Sequence, residues 1–200
     1  MVTKRFGDML RPNIKKHAIT FDEVVHGLTA TFDERLLRDN LPPVSGVRTA
    51  DMALASGLGK YIPEETLEAL KDTEFINVYG RVVTDRRSGK MCLQYLFVWD
   101  YQAVPAHEAD YEPVFIYLEG NSRYAIYDLV HYCTRRLDLV SPREEGPGLR
   151  VIPGWHSFLP DSKMRRSEID SDFNIQPLSD QHLDSWWNIP DEEARLKIEG

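Results

Sequence analysis

Between residues 74 and 154 the chain repeats one pattern: an apolar run rich in β-branched and aromatic residues, then a cluster of turn formers. The runs are EFINVYGRVVTD (74–85), KMCLQYLFVWDY (90–101), PVFIYLE (113–119), SRYAIYDLVHYC (122–133) and GLRVIPG (148–154). DRRSG, EGNS and PREEGPG punctuate them. Side chains of this kind fit a pleated, half-buried surface. Short runs bounded by turns predict an antiparallel sheet or sandwich. Alternation within each run is poor, which predicts strands covered on both faces.

The flanks carry a different pattern. The tetrapeptide TFDE occurs at 20–23 and again at 31–34. Threonine at the N-cap with glutamate at the third helical position satisfies two orphan backbone donors. Helices are therefore expected over Thr20–Leu28 and over Thr31–Asn40, the second stopped by Pro42 and Pro43. IPEETLEALKDT (62–73) predicts a third, with Pro63 in the first turn and an apolar face of Leu67 and Leu70. Residues 160–200 are polar, with apolar islands at Phe173, Ile175, Trp186 and Trp187. They predict a wrapping segment with a short helix near 179–187. The expected fold is α+β, in one domain. An N-terminal helical segment (1–73) packs on an antiparallel β-sandwich (74–159), and a polar extension (160–200) wraps it.

At 200 residues, folding buries roughly 70% of the unfolded surface, so the core needs no staples. The net charge of −8 argues against a nucleic-acid partner, because phosphate binding works through Lys and Arg. The two cysteines, Cys92 and Cys133, make no disulfide framework. The first residues lack the apolar stretch of a secretion signal, and no run reaches the ~20 apolar residues of a membrane span. These features predict a cytoplasmic protein with reduced thiols.

The stretch AHEADYE (106–112) sets His107, Glu108, Asp110 and Glu112 between two apolar runs. If Gly120-Asn121 is a two-residue hairpin turn, Glu119 pairs with Ser122, and paired numbers sum to 241. Asp110 then faces His131, and Glu112 faces Leu129. Pro113 limits this register, since it lacks an N–H for the ladder. Asp100 ends the preceding run, and His156 in PGWHSF follows another. Imidazole with carboxylates is a ligand set for a divalent cation. One histidine with three carboxylates suits Mg, Mn or Ca; more histidines favour Zn, Fe or Mn. Without a metal, the cluster is an ion-paired acidic loop, or Asp110 and Glu112 act as an acid–base pair. Cys133, two residues from His131, could share its face, though a buried cysteine is usually core. GLGK (57–60) lacks the full phosphate-loop spacing.

The stretch 95–118 resembles the core of the necrosis- and ethylene-inducing-peptide-like proteins, secreted cytolysins with a β-sandwich fold. Their heptapeptide Gly-His-Arg-His-Asp-Trp-Glu corresponds to AHEADYE, with YLFVWDY before it and PVFIYL after it. The shared pattern is His-x-x-Asp-aromatic-Glu. This chain has Ala106, Glu108, Ala109 and Tyr111 where the family has Gly, Arg, His and Trp. The resemblance implies a sandwich and a divalent cation held by His107, Asp110, Glu112 and Asp100. It does not imply toxin activity.

The expectation is thus a divalent-metal-binding protein with Asp100, His107, Asp110 and Glu112 as ligands, and His131 and His156 as additions. The metal would be Mg, Mn, Ca or Zn. A metal-dependent hydrolase is the first alternative. There a metal-bound water would be the nucleophile, with Glu108 as general base and a small molecule or carbohydrate as ligand. A binding or structural module without metal is the second.

Overall fold

The computed structural model describes residues 28–46, 75–103, 106–129, 133–139, 145–152, 156–169, 173–179 and 181–182. At 75–76, 100–103, 106–109, 128, 133, 145 and 168 the description is of the backbone alone. The helices expected over Thr20–Leu28 and over 62–73, and the Trp186-Trp187 island, lie outside the described residues, apart from Leu28.

Among the described residues the chain is mostly antiparallel β-sheet with a short α-helix. The strands are β1 (Leu28–Thr31), β2 (Val44–Ser45), β3 (Phe75–Asp85), β4 (Met91–Ala103), β5 (Ala106–Glu119) and β6 (Ser122–Leu129), then β7 (Cys133–Asp138), β8 (Glu145–Val151), β9 (Phe158–Arg165) and β10 (Ile175–Pro177). The helix, α1, spans Glu34–Asn40. Among the described residues all ten strands join one sheet, in the order β1-β3-β4-β5-β6-β9-β8-β2. Strand β7 also pairs with β6, and β10 with β3. The exceptions to antiparallel pairing are β10 with β3, β2 with β8, and β6 with β9.

Long hairpins dominate because their turn chemistry is good. At the β3–β4 turn, the Asp85 carboxylate accepts from Arg87 N and Ser88 Oγ at 2.9 and 2.6 Å, and Gly89 takes φ +68°. At the β5–β6 turn Gly120 takes φ +59°, a conformation glycine adopts without a Cβ clash. The register that follows is Glu119↔Ser122 through Val114↔Tyr127, with paired numbers summing to 241 as the turn predicts.

Both faces of the central strands are buried, which explains the poor alternation. Leu93, Tyr95, Phe97, Trp99, Val114 and Ile116 belong to one apolar cluster; Cys92, Leu96, Val98, Phe115 and Ile126 belong to the other. The first cluster also takes Val44, Leu149, Val151 and Phe158 from β2, β8 and β9. The rings of Phe97 and Phe158 meet edge to face at 5.5 Å, although two strands separate β4 from β9 in the sheet. The sheet therefore curls until distant strands share one core.

Helix α1 starts later than its capping box suggests. Its N-cap is Asp33, whose carboxylate accepts from Leu36 N at 2.9 Å. Thr31 pairs with Val82 in β1, so its backbone is committed to a ladder and the cap falls to the next suitable oxygen. The helix end is tied to the sheet. Tyr95 Oη donates to Leu37 O at 2.7 Å, and Arg123 Nη2 donates to Asn40 O and Leu41 O.

The polar tail contributes a strand. β9 crosses residue 160 and pairs with β8 from Val151↔Phe158 to Glu145↔Arg165. It reads as polar because only Phe158 and Met164 of its eight residues are buried. Phe173 and Ile175, apolar islands in the polar segment, belong to the first cluster. Of the helix expected near 179–187, Gln181 and His182 are helical, Ser179 is not, and the rest lies outside the described residues. No helix among the described residues is long and apolar enough to cross a membrane.

Candidate functional site

AHEADYE is not a loop. It forms the first half of β5, paired to β4 in one register from Met91↔Leu118 to Ala103↔Ala106. That register sets Asp110 opposite Trp99 and Glu112 opposite Phe97. Both carboxylates thus enter the face of the larger apolar cluster, at 4% and 1% exposure. An unpaired charge there is prohibitive, so each carboxylate needs hydrogen-bonded company.

Pro113 decides what lies beside them. The β5–β6 pairing begins one residue after it, at Val114↔Tyr127. Beyond that point the strands part, and the ladder partners of Leu129 are Cys133 and Phe158. The expected pairing of Glu112 with Leu129 does not form, because a residue without an N–H ends the ladder and β9 takes the position. His131 lies outside the described residues.

The arrival of β9 carries His156 into the gap. The corner before β9 is closed by two backbone bonds, His156 N to Ile152 O (2.8 Å) and Ile152 N to Ser157 O (2.9 Å). His156 has φ +58° and is the one non-glycine residue in that region among those described. Such a conformation costs an L-residue about 1–2 kcal/mol, and strain of this kind gathers at functional sites. The imidazole is fully buried. Its Nδ1 lies 3.1 Å from Asp110 Oδ2, and its ring stacks on Trp99 at 4.6 Å with a 3° interplanar angle. The other Asp110 oxygen accepts from Tyr111 N at 3.1 Å. Nε2 of His156 is buried with no hydrogen-bond partner among the described residues. A buried nitrogen in that state forfeits about 1–3 kcal/mol.

Three of the residues nominated from sequence are therefore placed by side chain: Asp110, Glu112 and His156. For Asp100, His107 and Glu108 the backbone is described, with Gln102↔His107 and Tyr101↔Glu108 as register pairs. Positions 110 and 112 share one face of β5. Among the described residues no group of three or more His, Cys, Asp or Glu side chains is arranged to hold a metal.

Two features were missed in the sequence. Trp99 is the stacking partner of His156; the signal available was its place at the end of an apolar run leading to the cluster. On the opposite face, Arg81 Nε donates to Gln94 Oε1 at 2.7 Å, both residues being buried register partners. A single Arg and a single Gln inside two apolar strands could have suggested that pair. Cys92 is not a nucleophile. Burial pushes its thiol up to about 12, although Tyr117 and Arg81 pull the other way. Thiolate is the reactive form, so Cys92 is inert near neutral pH.

The chain matches no family model, no curated protein and no solved structure.

Proposed function

We propose that the protein binds a divalent metal where β5 and β6 part, beside Asp110, Glu112 and His156. One observation carries the reading: a fully buried imidazole has one nitrogen on a buried carboxylate and the other without a hydrogen-bond partner. A histidine that ligates a metal typically gives its second nitrogen to a carboxylate, which fixes the ring and raises its basicity. Glu112 adds a second carboxylate on the same face. Asp100, His107, Glu108 and His131 are the further donors within this proposal. The resemblance to the necrosis-inducing family supports a cation at these positions. In the same proposal, the curled sheet is a β-sandwich covered by N-terminal helices, and the protein works inside the cell.

The test is elemental analysis of the purified protein beside an Asp110→Ala, Glu112→Ala double variant. Near-stoichiometric metal in the wild type, lost in the double variant, is the expected result. No metal in either, and none taken up from Mg, Ca, Mn or Zn, would end the metal reading. The second reading is then a structural His–Asp pair that fastens the β9 corner to β5. Its support is the contact itself, which ties the corner before β9 to β5.

A further inference from the structure

We propose that the chain from Leu178 to His182 is docked on β3 by a pH-sensitive latch, closed when the His182 imidazole is neutral and opened when it takes up a proton. The latch is a capping box with histidine where glutamate or glutamine usually stands. Ser179 opens the sequence Ser-Asp-Gln-His, and His182 is helical. His182 N donates to Ser179 Oγ at 3.4 Å, and Ser179 N donates to His182 Nδ1 at 3.1 Å. In this reciprocal pattern an N-cap serine and the third helical residue satisfy each other's backbone donors. A backbone N–H can only donate, so Nδ1 presents its lone pair and the neutral ring carries its proton on Nε2. Glutamine at that position accepts at any pH. Imidazole accepts only while Nδ1 is unprotonated.

The latch sits on the sheet. The His182 ring packs on Tyr79 of β3, with centroids 4.0 Å apart and planes tilted by 32°. Leu178 N donates to Gly80 O at 2.9 Å, and Leu178 is buried in the second apolar cluster. Just before it, β10 runs parallel to β3 from Ile175↔Val78 to Pro177↔Gly80. Among the described residues, the Tyr79 phenol is the titratable group that faces the ring from β3. Gln176 of β10 is uncharged and donates to Asn77. The carboxylates nearest in sequence, Asp180 and Asp184, lie outside the described residues.

Two contacts favour the charged ring. Ser179 Oγ, 3.0 Å from Nδ1, can accept from Nδ1–H, and the Tyr79 π face attracts a cation. Two effects oppose it. Protonation sets Nδ1–H against Ser179 N–H and removes that donor's acceptor, and partial burial disfavours the charge. Burial decides the balance and holds His182 below its ordinary 6.5. The docked ring therefore binds fewer protons than a free one. As pH falls through 6.5 the undocked chain is protonated first. Docking then weakens by up to about tenfold per pH unit, until the docked ring is protonated too.

Amide exchange and NMR titration of the full chain test this. The protection factor of the Leu178 amide, corrected for intrinsic rate, should fall several-fold from pH 7.5 to pH 5. His182→Gln keeps an acceptor without a titration, so its Leu178 protection should not depend on pH. His182→Ala should show reduced protection at both pH values. The His182 ring of the wild type should titrate below 6.5. Wild-type protection that is the same at both pH values, or that falls equally in His182→Gln, would overturn the latch; the second result would trace the acid response to another group. Protection in His182→Ala equal to that of the wild type at pH 7.5 would show that the box fastens nothing. A ring midpoint at or above 6.5 would also overturn it, since acid would then not favour release.

Discussion

Nδ1 of His156 and Oδ2 of Asp110 stand 3.1 Å apart with both residues buried, and they join elements that no regular ladder joins at that point. Asp110 belongs to β5, whose neighbour there is β4. His156 belongs to the corner between β8 and β9. The contact spans the place where β5 and β6 separate, so it holds the splayed end of the sheet as well as defining the candidate site.

Asp110→Ala should therefore destabilise the fold strongly. Removing one member of a buried pair strands the other, at a cost of about 3–5 kcal/mol. Urea unfolding of Asp110→Ala, His156→Asn and the double variant measures it. The two losses should be markedly less than additive, with a coupling of about 1–3 kcal/mol. Additive losses would mean that the contact contributes nothing of its own.

Much of this arrangement was legible in the sequence, and what was hidden has physical reasons. The turn at Gly120-Asn121 sets the β5–β6 register, and Pro113 ends it; both were readable from local chemistry. AHEADYE was harder, because charged residues suggest a loop. The register buries Asp110 and Glu112 opposite Trp99 and Phe97, and only the curl of the sheet reveals what covers them. His156 could be nominated but not placed, since its contact with Asp110 depends on a corner 46 residues away in sequence. Strand β9 was read as polar tail because its exposed residues outnumber the two that face the core. The cap of α1 moved from Thr31 to Asp33 because pairing with β3 competed for the same residue.

Tyr95 offers a test of how the helix is anchored. Its hydroxyl donates to Leu37 O, a carbonyl in the last turn of α1. Carbonyls there have no intrahelical partner. Tyr95→Phe keeps the buried ring and removes the donor, so it should cost about 1–3 kcal/mol. Amide exchange should quicken in α1 more than in β4. Equal protection in α1 with and without the hydroxyl would show that Arg123 alone fastens the helix.

Alkaline pH should destabilise the protein. Burial raises the Cys92 thiol from 9.0 to about 12, and it also raises the Tyr95 and Tyr117 phenols above 10.0. The sign follows from proton counts. As pH rises past 9, the unfolded chain loses these protons while the native chain keeps them. With fewer protons bound in the unfolded state, stability falls as pH rises. The window opens near pH 9 and extends toward 12. The urea midpoint should decline steadily from pH 8.5 to 10.5, and Cys92→Ala should flatten the first part of that decline. Cys92 should also resist iodoacetamide at pH 8 in a Cys133→Ser background, and react once unfolded. Labelling of the native protein would contradict its burial.

Gly148 leaves no room for a side chain. A Cβ there would sit 2.7 Å from Met164 Sδ and 2.8 Å from Pro43 O. The sulfur belongs to a flexible side chain and can withdraw. The carbonyl cannot, because it accepts Leu149 N at 2.7 Å and thereby holds the chain before β2 against β8. Gly148→Ala must then push β8 away from Pro43 or break that bond, and overpacking of this kind costs about 1–3 kcal/mol. Gly80→Ala meets only side-chain carbons of Leu37 and Ile175, the nearest at 3.1 Å, and should cost less. The decisive comparison is Gly148→Ala with and without Met164→Ala, read as urea midpoints. If the backbone contact dominates, removing the Met164 side chain will not rescue Gly148→Ala. Full rescue would assign the strain to Met164 and leave the β2–β8 approach looser than the distance to Pro43 O implies.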